Sequence, residues 1–156
     1  MIIHFKAQGA RVAAKTQALA RRGVEAVLRH GRVRGRALLC VVWTDRARVR
    51  ALNRRFRSTN RFTDVIAFRY EEAGSPPFRG DGVPFGDLFI AVPQARLNAA
   101  RFGVSLHEEL VRLSVHGTLH LLGYTDYVPR EKKKMWAVQE RIIRRLMEFP
   151  SPKPRA

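Results

Sequence analysis

The run Leu38-Leu39-Cys40-Val41-Val42-Trp43 constrains this chain more than any other segment. It is apolar at every position and short for a globular helix, and its β-branched and aromatic members favour an extended backbone. It reads as a buried strand over residues 37–43. A strand at 2–6 precedes it, followed by an amphipathic helix from about Ala10 to His30. After it, Thr44-Asp45 reads as the N-cap of a helix running to about Phe56. Thr63 to Arg69 and Gly86 to Val92 read as two more strands, separated by a Gly- and Pro-rich loop over 71–85. Pro93 ends the fourth strand and opens a short helix through about Arg101. Ser105 with Glu108 forms a capping-box pattern for a helix to about Leu122, which Gly123 stops. Pro129 starts the last helix, where Met135, Val138, Ile142 and Leu146 keep helical spacing. The expectation is one α+β domain over residues 1–149, with about four strands in a mixed sheet packed by about five helices. The segment 150–156 (PSPKPRA) reads as a disordered basic tail.

A chain of 156 residues, 46% of them hydrophobic, can bury a core without disulfides. No stretch approaches the roughly 20 apolar residues that span a bilayer, and the first residues lack the order of a secretory signal, so no membrane partner is expected. The single cysteine, Cys40, lies in the apolar run and reads as a small buried hydrophobe, which fits a reducing, cytoplasmic setting. Charge is more informative. Thirty Lys plus Arg against thirteen Asp plus Glu give a formal +17, and such an excess favours phosphate backbones through counterion release. RNA or DNA is the expected partner class.

Chemistry concentrates in His116-Gly117-Thr118-Leu119-His120-Leu121-Leu122-Gly123-Tyr124-Thr125-Asp126. Histidines at i and i+4 leave one helix face a turn apart, so both imidazoles can reach one cation. Gly123 lets the chain leave the helix in a conformation other residues resist and swings Asp126 back toward the pair. Two imidazoles, one carboxylate and a position left for water make a common catalytic zinc set, though other divalent transition ions suit it too. Spacing alone leaves open a hydrogen-bonded pair of core histidines. The same spacing occurs in HExxHxxGxxD peptidases, but their general base follows the first His, and here that residue is Gly117. His4, His30 and His107 lie outside the cluster and read as surface or structural residues.

Further blocks extend the pattern. His116, Gly117, Leu119, His120, Leu121, Gly123 and Tyr124 match a signature HGxLHLxGYDH. Leu52-Asn53-Arg54-Arg55-Phe56-Arg57 and Thr63-Asp64-Val65-Ile66-Ala67-Phe68 match LNxxyR…PT(D/N)VLSF, Gly86-Asp87-Leu88 a GDI strand, and Glu109-Leu110 to Val115 a helix lead-in. In this order, covering most of residues 37–147, they resemble the YbeY-type rRNA maturation endoribonucleases. The resemblance implies a zinc ion on His116, His120 and the third ligand position, where the family normally has His and this chain has Asp126. Thr125 stands where the family has Asp. Asp binds zinc through oxygen at a similar reach, and the exchange lowers the site's net charge by about one unit, implying a weaker Lewis acid. Phe62 and Ala67 replace the family's Pro and Ser, changes expected to touch loop packing and nearby hydrogen bonds only.

Arg57 matches the family's functional arginine, and a guanidinium grips phosphate oxygens in a two-pronged way suited to a scissile phosphodiester. Asp87 ends a strand where it could orient a ligand imidazole or act as a base; a strand-edge turn role is equally open. Lys132-Lys133-Lys134 and Arg32, Arg34 and Arg36 read as solvated faces that add to an RNA-facing surface. The expectation is a metal-dependent endoribonuclease that hydrolyses phosphodiesters in single-stranded rRNA, in maturation of the small-subunit 3′ end and in ribosome quality control. Its partners would be RNA and the ribosome or small subunit, and its cofactor one divalent transition metal ion, Zn2+ being expected. The alternative is a ribosome-associated RNA-binding assembly factor with a structural metal. An iron oxygenase shares the ligand set, but basic character has no role there.

Overall fold

The structure, a computed structural model, describes residues 1–57, 63–70 and 83–147. Four strands, β1 (Ile2–Gln8), β2 (Ala37–Thr44), β3 (Val65–Arg69) and β4 (Val83–Ala91), form one sheet in the order β1-β2-β4-β3. β1 and β4 run parallel to β2, and β3 runs antiparallel to β4, so the sheet is mixed. Five helices complete the domain: α1 (Ala14–His30), α2 (Arg46–Arg57), α3 (Val92–Phe102), α4 (Leu106–Leu121) and α5 (Pro129–Met147). Among the described residues no helix is long and apolar enough to cross a membrane.

Strand alternation sorts the apolar run onto two faces. Leu39, Val41 and Trp43 join Ile3, Leu88 and Ile90 beneath α1 and α4, in the main core. On the other face, Ile66 and Ala91 pack with Val49 of α2, with Leu52, Phe68 and Phe89 around them. α4 is the central helix: Leu110, Leu113 and Leu121 enter the main core, and Val115 and Leu119 face Met135, Val138 and Ile142 of α5. Gly117 sets how closely α4 lies on the sheet, because a Cβ there would meet Leu88 and Val65 side chains at 3.0 Å.

Several boundaries differ from expectation, and pairing explains them. β1 continues to Gln8 because β2 offers partners as far as Thr44, so α1 begins at Ala14 and not near Ala10. β4 begins at Val83, inside the stretch read as loop, since Val83-Pro84 pair with Ala37-Leu38 across a register irregularity. Glycine and proline composition signalled a break, and ladder pairing with β2 overrode it. Residues 71–82 of that loop, Phe62 and the tail 150–156 lie outside the described residues. Cys40 is half-exposed on the α2 face of the sheet, not buried as expected, and partial burial with Asp87 alongside pushes its thiol pKa up.

Candidate metal centre

α4 starts where Ser105 Oγ accepts a hydrogen bond from the Glu108 backbone N–H at 3.0 Å. Its other end is a Schellman turn, in which Tyr124 N–H donates to Leu119 O at 3.1 Å and Gly123 N–H to His120 O at 3.0 Å. Gly123 carries a φ of +95°, a backbone state that glycine adopts without strain. The turn sends the chain back across the helix end. The Thr125 hydroxyl donates to Glu131 in the first turn of α5, and the next residue, Asp126, comes to lie against the two histidines.

The three expected ligands converge. His116 and His120 stand edge to face with ring centroids 4.6 Å apart and their Nε2 atoms 3.0 Å apart. Asp126 Oδ2 lies 3.7 Å from each Nε2. One donor atom from each residue falls within 4.8 Å of the others, and all three side chains are partly exposed.

Hydrogen bonds on the far side of each ring fix what it presents to the centre. His120 Nδ1 is 2.9 Å from the Tyr124 carbonyl oxygen, which only accepts, so Nδ1 carries the proton. His116 Nδ1 is 2.7 Å from Gln139 Oε1. The Gln139 amide is oriented by Glu140, whose carboxylate accepts from Gln139 Nε2 at 3.1 Å. Glu140 is held in turn by Arg112, whose Nε and Nη2 reach it at 2.8 and 3.2 Å while Nη1 reaches Glu108 at 2.8 Å. Burial opposes the Arg112 charge, but hydrogen bonds to Glu140 and Glu108 outweigh it and raise its pKa. In its neutral form each ring therefore turns its Nε2 lone pair inward. Two lone pairs 3.0 Å apart, beside a carboxylate, repel unless a cation or proton lies between them. The donor set fits a divalent transition ion.

Asp87 does not join this centre. Gly86 and Leu88 face α4, since a Cβ on Gly86 would touch Leu121 and Leu88 lies against Gly117, so alternation puts Asp87 on the opposite face. There it accepts a hydrogen bond from Tyr70 Oη at 2.6 Å and pairs in register with Cys40. That hydrogen bond, with burial behind it, pushes the Tyr70 phenol up to about 12. Gln139 and the Tyr124 carbonyl hold the orienting positions expected of Asp87. Arg57 is the last residue of α2, and its side chain lies outside the described residues. His30 joins the Tyr124 hydroxyl at 2.9 Å and His107 joins Thr16 at 2.7 Å, both tying α1 to the site helix or its turn.

Sequence reasoning missed Gln139. Its signal was a polar pair, Gln139-Glu140, beside the apolar stripe of α5, where buried polar groups need partners. Two cavities flank the centre and share Asp126 as a wall. One, of about 320 Å³, includes His116, Arg101 and Trp136; the other, of about 660 Å³, includes His120, Arg69 and Tyr127.

The family model for Endoribonuclease YbeY matches residues 2–147, a span that holds every element of this centre. The chain belongs to the YbeY family. Among its curated relatives, Endoribonuclease YbeY of Geobacillus thermodenitrificans is 41% identical over 113 residues, covering 70% of this chain and 72% of that protein. Endoribonuclease YbeY of Bacillus thuringiensis is 39% identical over 111 residues, covering 69% and 71%. The solution structure of protein TM1509 from Thermotoga maritima superposes with a TM-score of 0.62 at 21% identity, covering 99% of this chain and 100% of that one. That likeness places the fold alone. Within the YbeY frame the four-stranded mixed sheet is the one anticipated from the sequence.

Proposed function

We propose that this chain is a metal-dependent endoribonuclease that hydrolyses phosphodiesters in single-stranded regions of ribosomal RNA, acting on the ribosome or its small subunit. Maturation of the small-subunit 3′ end and ribosome quality control in the cytoplasm are the processes the family resemblance suggests. One observation carries the reading: two inward lone pairs and a carboxylate meet at the junction of two open cavities, on a chain with a formal charge of +17. The curated relatives bear the name endoribonuclease.

His116, His120 and Asp126 would hold one divalent transition ion, with zinc favoured by two imidazoles and one carboxylate. When bound, such an ion supplies Lewis acidity toward a phosphate oxygen or the attacking water. The chain's own contribution is orientation. Gln139 and the Tyr124 carbonyl keep each Nδ1 protonated, so neither ring can flip its lone pair outward without losing a hydrogen bond. Asp126 adds one negative charge where the family has a neutral imidazole, which tempers the acidity available. Arg57 is proposed to grip the non-bridging phosphate oxygens and to steady the charge that grows on them. Asp87 has no part in this reading, since it lies on the other face of the sheet.

Cleavage of a defined single-stranded RNA by the zinc-loaded protein, with and without chelator and beside Arg57→Ala, tests the proposal. Chelator should abolish cleavage and Arg57→Ala should lower it by about a hundredfold. Undetectable cleavage in all three with RNA binding intact would instead support a binding or assembly factor with a structural metal.

A further inference from the structure

The cavity on the His116 side of the centre lies between α3, α4 and α5 and has a volume of about 320 Å³, within the range that accepts a small organic group. His116 and Asp126 form part of its wall. A strand whose phosphodiester lies at the metal centre would therefore set a neighbouring nucleotide at its mouth.

The lining suits a nucleotide. On α5 the buried positions are Met135, Val138, Gln139, Glu140, Ile142 and Ile143, and Trp136 falls beside that stripe, half-buried on the cavity wall. An indole at that position leaves part of its aromatic surface available to the cavity. Phe102, at the end of α3, adds a second ring that remains 37% exposed. Two cations come from facing helices, Arg101 of α3 and Lys132 of α5. Arg112 also reaches the wall, but its guanidinium is engaged by Glu108 and Glu140, leaving the phosphate to the other two. Asp64 is anchored by Asn98 Nδ2 at 3.0 Å, and Asn98 by Gln94 at 3.2 Å, which fixes an acceptor for the N–H groups of a base.

We propose that this cavity is a nucleotide subsite, with one base stacked on Trp136 and the adjoining phosphate held by Arg101 and Lys132. It rests on the RNA-hydrolase reading and adds where the strand beside the scissile bond is gripped. Stacking tolerates any base, so the subsite confers affinity and register more than sequence preference.

The test uses the full-length, zinc-loaded chain and a short 2′-O-methyl single-stranded oligoribonucleotide. The protein has two tryptophans, and Trp43 is 1% exposed, so quenching on RNA addition reports Trp136. Wild-type fluorescence should fall as the oligonucleotide binds. By anisotropy of a labelled oligonucleotide, Trp136→Leu should weaken binding about tenfold and Trp136→Phe should restore most of it, since a stacking face is what is lost. Zinc content and Tm should match wild type in both variants. Unchanged affinity in Trp136→Leu, equal losses in the Leu and Phe variants, or unquenched fluorescence on RNA shown by anisotropy to be bound would each overturn the subsite. Those results leave the hydrolase reading standing if zinc-dependent cleavage of RNA persists. Absence of RNA binding and cleavage by the wild-type protein would overturn both.

Discussion

A histidine ligand is defined as much by the proton it keeps as by the lone pair it gives. Gln139 makes that choice for His116, and Glu140 and Arg112 behind it make the choice for Gln139. Gln139→Leu should therefore lower zinc affinity by about ten- to a hundredfold while leaving all three ligands in place, as competition with a chromophoric chelator would show. Unaltered affinity would mean that His116 is oriented by packing alone. Tyr70 offers a separate check on the opposite face. Its pKa is raised to about 12, so its contribution to stability is full below the ordinary phenol value near 10 and disappears as pH rises through about 12. An alkaline absorbance titration should show one of the three tyrosines ionising late, and Tyr70→Phe should remove that step. The convergence of His116, His120 and Asp126 was legible in the sequence because i, i+4 spacing and a helix-stopping glycine act locally. Gln139 was not, because its partner comes from another helix 23 residues away. Asp87 was misplaced for a related reason: which face of a strand a residue takes depends on what packs against its neighbours.

α4 does two jobs through its two ends. Ser105 caps the first, and Ser105→Ala should cost about 1 kcal/mol of stability with zinc affinity little changed. The Schellman turn at the other end positions the Tyr124 carbonyl and sends Asp126 back, so a change there should move both quantities. Gly123→Ala forces a side chain into φ +95° and should cost about 1–2 kcal/mol and also weaken zinc binding. Thermal unfolding with and without zinc separates the cases: the zinc-induced rise in Tm should survive Ser105→Ala and shrink in Gly123→Ala. Equal rises would detach the turn from the metal centre. Caps and stops of this kind were readable because they depend on residues three or four apart. The starts of α1 and β4 were not, since pairing with β2 extended one strand to Gln8 and drew Val83 into another.

The assembled domain sets the His116, His120 and Asp126 cluster at the meeting point of two cavities on a strongly basic chain. Charge predicted a polyanionic partner from composition alone, but the junction depends on α3, α4 and α5 meeting, which no local pattern encodes. Binding of single-stranded RNA should weaken steeply with salt. A strand contacting about four phosphates would give a slope of log K against log salt near about −3. The most direct test of the account is the zinc content of purified wild-type protein beside folded His116→Ala, His120→Ala and Asp126→Ala variants, by elemental analysis after dialysis. The expectation is about one ion per wild-type chain and a substoichiometric content in every variant. A full equivalent retained by Asp126→Ala, or no ion in the wild type after incubation with zinc, would contradict it.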